Sequence, residues 1–291
     1  MSHYQDVYYS SPDGLQLYAR DYPADQSATG APQPTLLCMH GLTRNSRDFE
    51  PLAAALAGRY RMVVVDQRGR GLSAYDDNSA NYQPITYVGD MFALIAQLGL
   101  KELVLIGTSM GGLMAMMMAA MQPALFRGLV INDIAPEIEP AGLERIKAYV
   151  GKHPAHFDDW QAAVSSVRDS NGEAFPHYSD EQWLAFTQRL CHSGGDGKIY
   201  YSYDAAIAEP MRNTPDSAVP PDLWPLFGAL KALPMLTVHG ALSDILSDRI
   251  VSRMQQEHPT MRYSRVDNVG HAPILDEPEA LTAIEQFLAS V

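Results

Sequence analysis

The stretch that most constrains this chain is Gly107-Thr108-Ser109-Met110-Gly111, set between the apolar run Leu103-Val104-Leu105-Ile106 and an apolar, helix-like run over 113–121. A strand that must turn into a helix within so few residues forces its central residue into a cramped backbone conformation. The neighbours must then do without side chains, as Gly107 and Gly111 do. The Ser109 hydroxyl is thereby held beyond the strand's end, at a helix N-terminus whose N–H groups favour negative charge. A glycine-rich turn is common by itself, so its meaning depends on what the rest of the chain sets around it.

The rest of the chain supplies a sheet. Residues 7–9 and 15–19 flank Ser11-Pro12-Asp13-Gly14 and read as two strands joined by a turn. Residues 23–34 are small, polar and proline-bearing, and read as a loop. Buried strands are expected at 35–39, 62–65, 103–106 and 129–131, with helices at 49–56, 85–98 and after Ser109. Strands alternating with helices at this spacing imply a parallel sheet covered on both faces, and strands buried on both sides read as continuous apolar runs.

The alternation stops at about residue 135. Up to residue 222 the sequence offers helix-like pieces at 141–150, 157–168 and 180–190, with no clear buried strand. Scattered aromatics and the clusters at 192–197 and 215–221 punctuate it. This segment reads as a helical insertion over the sheet edge. It divides the chain into core residues 1–134, insertion 135–222 and core residues 223–291. The sheet pattern resumes with a strand at 235–238, a helix at 247–257, a strand near 263–266 and a helix at 278–289.

Composition narrows the class of function. A chain of 291 residues can form one large α/β domain carrying an insertion, and 46% hydrophobic residues excludes a disordered class. A net charge of −13 argues against nucleic acid or anionic membranes as partners. Two cysteines, Cys38 and Cys191, offer neither a disulfide framework nor a zinc spacing. The first residues lack the basic and apolar regions of a leader, and no long apolar run follows, so a soluble, cytoplasmic protein is expected.

A serine hydroxyl near neutral pH needs a base within hydrogen-bond reach, itself oriented by a third group. Of the histidines after Ser109, His271 in Val269-Gly270-His271-Ala272-Pro273 is the best placed, between the last strand and the last helix. For the acid, Asp244 in the loop after the 235–238 strand is preferred. Asp133, just after the 129–131 strand, is an alternative. So is Asp248, although Ser247-Asp248 reads as an N-cap followed by a first-turn carboxylate.

An acyl-transfer site also needs donors for an oxyanion. The backbone N–H of Met110 is one candidate, and that of Leu42, in His40-Gly41-Leu42-Thr43, is the other. His40 is expected to brace its loop, and the turn Asp66-Gln67-Arg68-Gly69-Arg70-Gly71-Leu72-Ser73 to be structural despite its two arginines. The methionines of 114–121 are expected in the core. His153-Pro154-Ala155-His156 lacks a carboxylate motif, so no metal is expected there.

Taken together, His40-Gly41, the 66–73 turn, the glycine-bracketed serine, Ser243-Asp244 and Gly270-His271-Ala272-Pro273 resemble the α/β-hydrolase superfamily over nearly the whole chain. The resemblance implies an α/β-hydrolase fold: a mostly parallel eight-stranded sheet, helices on both faces and a helical cap between the sixth and seventh strands. It implies a serine hydrolase with Ser109, Asp244 and His271 as triad and no cofactor, similar to the capped esterase, enol-lactonase and carbon–carbon hydrolase branch. A serine at the nucleophile position sets it apart from haloalkane dehalogenases and epoxide hydrolases, which have aspartate there. The expected substrate is a small, largely apolar ester or lactone, with Trp160, Trp183 and Tyr149 as candidate pocket residues. The alternatives are carbon–carbon bond hydrolysis, cofactor-free perhydrolase chemistry and a slow-turnover receptor.

Overall fold

Alternate residues of each central strand face opposite cores, which is why these strands read as unbroken apolar runs. The computed structural model describes residues 3–25, 33–213 and 221–291. Most of the loops expected at 23–34 and 215–221 lies outside the described residues. In chain order the strands are β1 (Gln5–Ser10), β2 (Gln16–Tyr22), β3 (Thr35–Met39), β4 (Met62–Asp66), β5 (Leu103–Thr108), β6 (Phe126–Asn132), β7 (Cys191–Ser193), β8 (Ile199–Tyr201), β9 (Met235–Gly240) and β10 (Arg262–Val266). Eight of them form one sheet in the order β1-β2-β4-β3-β5-β6-β9-β10, and β7 and β8 form a separate hairpin. β1 and β2 are antiparallel to their neighbours, and the strands from β4 to β10 in that order pair in parallel.

The helices are α1 (Glu50–Ala55), α2 (Pro84–Leu98), α3 (Met110–Met121), α4 (Pro140–Tyr149), α5 (Trp160–Asn171), α6 (Asp180–Leu190), α7 (Glu209–Arg212), α8 (Trp224–Gly228), α9 (Asp248–Glu257) and α10 (Pro278–Leu288). Leu37, Val63, Val65, Leu103 and Leu105 meet α2, α3, α8 and α9 on one face. Leu36, Val64, Val104 and Ile106 meet α1 and α10 on the other. Met114, Met116 and Met118 are buried, as expected of a helix packed on the sheet, and only Met121 at its end is largely exposed. The fold is the α/β-hydrolase fold expected from the sequence.

Between β6 and β9 the chain forms α4 to α8 and the β7–β8 hairpin. Part of this insertion has its own core, in which Phe157, Phe175, Trp183, Phe186 and Leu190 pack together. Each such side chain, when buried, contributes about 1.5–3 kcal/mol. Two details differ from the sequence expectation. α5 starts at Trp160 because the Asp159 side chain caps it, accepting from Ala162 N at 2.8 Å. Phe157 instead exchanges both backbone hydrogen bonds with Ile199, extending the hairpin. The hairpin closes around the glycine cluster expected to be loop. Its strands are three residues each, too short to give a periodic signal.

The insertion is tied to the core by hydrogen bonds from core arginine and asparagine side chains. Arg47 donates to the Gln188 and Cys191 carbonyls and to Ser202 Oγ, and Asn45 donates to the Arg189 carbonyl. Gly71 N donates to Ser202 O and Asp204 N to Gly69 O, so the 66–73 turn also holds it. Among the described residues, no helix is long and apolar enough to cross a membrane.

Candidate active site

Ser109 sits between β5 and α3 with φ 51° and ψ −117°, a conformation that side chains other than glycine rarely adopt. Glycine is required on both sides of it. A Cβ on Gly107 would lie 2.2 Å from Gly111 O, and one on Gly111 would lie 2.1 Å from Met39 O. The strained backbone is held by Ser109 N donating to Asn132 O at 2.9 Å and by Ser109 O receiving Gly112 N and Leu113 N.

From Ser109 a line of hydrogen bonds runs into the protein. His271 Nε2 is 2.9 Å from Ser109 Oγ, and His271 Nδ1 is 2.8 Å from Asp133 Oδ2. The Asp133 carboxylate can only accept, so Nδ1 carries the ring proton and Nε2 is left to accept from the serine. Asp133 is fully buried and both of its oxygens are held by the core: Oδ1 accepts from Gly240 N at 2.8 Å and Oδ2 also from Ser243 Oγ at 2.6 Å. A buried charge with both oxygens hydrogen-bonded avoids the heavy cost of an unpaired one.

This geometry corrects the expectation placed on Asp244. The carboxylate on His271 is Asp133, which leaves the end of β6 with φ 53° and thereby turns toward the histidine. Asp244 lies one residue past Ser243, after a turn closed by Ser243 N on Gly240 O. That turn spends Ser243 on Asp133 and carries Asp244 outward to Arg145 of α4. There it forms a two-pronged ion pair with N···O distances of 2.5 and 2.8 Å. Burial alone would raise the Asp244 carboxyl, but the Arg145 guanidinium overrides it and holds the group below its ordinary range. Asp248 behaves as the sequence suggested. Ser247 caps α9, and Asp248 in its first turn meets Arg265 at 2.8 Å.

The loop after β3 is braced from below. His40 is buried, with Nε2 accepting from Gln67 N at 3.0 Å and Nδ1 donating to Gly41 O at 2.7 Å. Burial pushes it down to about 3, so it is neutral, the state its acceptor role requires. The 66–73 turn is structural, as expected. Asp66 accepts from the Ser46 and Leu72 amides, and Ser73 Oγ donates to Asp66 O. One of its arginines also reaches the site: Arg70 Nε donates to the Leu42 carbonyl at 2.9 Å and so fixes the Leu42–Thr43 peptide beside Ser109. Met110 is the first residue of α3, where a backbone N–H has no acceptor within the helix.

Of the three aromatics expected to line a pocket, Tyr149 is the one in the walls of the cavities around Ser109 formed by the described residues. It lines a cleft of about 640 Å³ that reaches His271, a chamber of about 40 Å³ at Ser109 and a third cavity of about 90 Å³. Trp183 is 3% exposed and belongs to the insertion's own core, with Trp160 packed against it, which corrects the expectation for both. Without them, the surroundings of Ser109 are less apolar than expected, with Thr43, Arg44 and Asn171 in the wall.

Asn132 and Ser243 had no assigned role in the sequence. Asn132 Nδ2 donates to Thr108 Oγ1 and to Pro273 O, tying the serine turn to the histidine loop. The only sequence signal for it was its place directly before Asp133 at a strand end.

A model of the alpha/beta hydrolase family matches residues 36–284. A protein of Cupriavidus necator named 3-hydroxybutyrate-oligomer hydrolase is 35% identical, over 95% of this chain and 94% of its own. A 2-(acetamidomethylene)succinate hydrolase of Mesorhizobium japonicum is 28% identical, with 88% of each chain covered. The crystal structure of an alpha/beta hydrolase from Novosphingobium aromaticivorans superposes with a TM-score of 0.92 at 42% identity, covering 100% of both chains. The chain belongs to the alpha/beta hydrolase family.

Proposed function

We propose that the chain is a serine hydrolase that cleaves a small carboxylic ester through an acyl-enzyme, with Ser109, His271 and Asp133 as catalytic triad. The observation that carries this reading is the unbroken Ser109–His271–Asp133 line of hydrogen bonds at a strained strand-to-helix turn. His271 Nε2 takes the Ser109 proton as Oγ attacks the carbonyl carbon, and returns it to the leaving alkoxide. Asp133 holds the Nδ1–H tautomer and stabilises the imidazolium that forms between the two transfers. Water then attacks the acyl-enzyme by the same relay in reverse.

The Leu42 and Met110 amides act as oxyanion donors. His40 Nδ1 holds the Gly41 carbonyl of the peptide that carries the first, and the helix N-terminus supplies the second. Residues 135–222 act as a cap that selects the substrate, supported by the place of Tyr149 and Asn171 in the walls around Ser109. The relative named for 3-hydroxybutyrate oligomers makes short hydroxy-acid esters the first substrates to try.

The test is turnover of a short-chain ester series by wild-type and Ser109→Ala protein, with a fluorophosphonate probe read by mass spectrometry. Loss of turnover by roughly 10⁴-fold or more and labelling confined to Ser109 are expected. Undiminished hydrolysis by the alanine variant rules the mechanism out.

A further inference from the structure

The chain carries a net charge of −13, yet the walls of the two inner cavities contain neither aspartate nor glutamate. The chamber at Ser109 and the third cavity share Thr43, Arg44, Tyr149 and Asn171, so they adjoin. The third cavity adds Lys152 and His153. The outer cleft has the opposite character, with Asp169, Glu173 and Asp244 in its wall and its one arginine, Arg145, already paired with Asp244.

We propose that the inner cavities form a subsite for a carboxylate carried by the substrate, held by Arg44, Lys152 and His153. The proposal deepens the ester-hydrolase reading and rests on it, because it fixes which esters the serine meets.

Three features support an anion here. Arg44 is close to the reacting centre: a methyl group placed on Gly41 would lie 3.6 Å from both Arg44 Cγ and Ser109 Cβ. Its guanidinium is pre-positioned, with Nη1 2.9 Å from Asp48 Oδ1 and its carbon 4.4 Å from the centre of the Phe186 ring. That single bond to Asp48 leaves further N–H donors in the fork for a planar carboxylate.

His153 is the second feature. Its ring lies 4.5 and 4.9 Å from the Tyr201 and Tyr203 rings, and Nδ1 donates to Pro154 O at 2.8 Å. Its Nε2 is buried with no hydrogen-bond partner. A buried polar atom left without a partner is costly, so a polar ligand entering this cavity gains by supplying one. Lys152, exposed and without an ion-pair partner among the described residues, adds a mobile positive charge at the far end. Room is sufficient, since about 10–15 Å³ holds one water and the cavity offers about 90 Å³.

Two pairs of esters test this. Monoethyl succinate carries its carboxylate on the acyl side and 3-acetoxybutyrate on the alcohol side; diethyl succinate and ethyl 3-acetoxybutyrate lack it. At least one acid is expected to exceed its neutral partner by about tenfold in kcat/KM, the worth of one charge-assisted hydrogen bond. The acid-to-neutral ratio should fall about tenfold in Arg44→Gln and His153→Gln and severalfold in Lys152→Ala. Lys152 is exposed, so that variant keeps the test sound if Arg44→Gln fails to fold. Calorimetric binding of the same pairs to Ser109→Ala protein reads the preference without turnover. If no ester is hydrolysed, the ester reading falls while binding still decides the subsite. Neutral esters preferred in both pairs, or a ratio unmoved in all three variants, overturns the proposal.

Discussion

Asp133 and Asp244 follow neighbouring strands of one sheet, β6 and β9, and both lie within the loops that surround His271. Their environments are opposite. Asp133 is fully buried, accepts from a backbone amide, a hydroxyl and the imidazole, and leaves its strand with positive φ. The Asp244 side chain is 34% exposed and is occupied by an arginine from the insertion. A carboxylate that must hold a histidine tautomer has to be fixed by groups that do not move. The core strands supply those groups to Asp133, whereas Asp244 is held by a side chain on the far wall of the cleft.

This contrast can be tested directly. Asp133→Asn replaces an acceptor with an amide that can present N–H to His271 Nδ1 and favours the wrong tautomer. A fall in kcat of roughly 10³–10⁴-fold is expected, read with any ester the wild type turns over. A fall of less than tenfold would return the role of acid to another residue.

The fixed half of the site should also be the acid-sensitive half. His40 is held neutral by burial, down to about 3, while the unfolded chain takes up a proton near the ordinary value of 6.5. Its contribution is therefore fully present above pH 6.5 and is lost as pH falls toward 3. The slope is at most about 1.4 kcal/mol per pH unit in that window. Urea denaturation across the window should show this slope in the wild type and a shallower one in His40→Asn. Equal slopes would mean that His40 is not the sensitive group.

Ser243→Ala removes one of the donors to Asp133 and should lower kcat by about tenfold, with KM little changed. A KM effect alone would place Ser243 with the substrate instead. The smallest effect is expected for Asp244→Asn, because a part-exposed ion pair is worth about 0.2–1 kcal/mol. Its kcat should stay within a few-fold of wild type, and a loss comparable to that of Asp133→Asn would erase the contrast between the two carboxylates.

The order of strands and helices was legible because each element carries its own signal. β3, β4 and β5 are continuous apolar runs, and the helix expected over 180–190 is observed as α6, with a reciprocal cap between Ser179 and Gln182. What escaped had no local signal: the three-residue strands β7 and β8, and the packing of the insertion's tryptophans into its own core. Trp160 and Trp183 could have lined a cleft or filled a core, and their helix periodicity is the same in either case.

Ser109 and His271 could be named from the sequence because the constraints on them are covalent and local. A residue between Gly107 and Gly111 at a strand-to-helix reversal has one way to point, and the histidine loop is fixed by the last strand and the last helix. The acid was a choice among Asp133, Asp244 and Asp248, each just past a strand end or at the start of a helix, and spacing along the chain does not separate them. Only the packed structure separates them by their contact with His271, because β6 and β9 are neighbours through space. The Gly240 amide and the Ser243 hydroxyl both turn onto Asp133, while Arg145 draws Asp244 away.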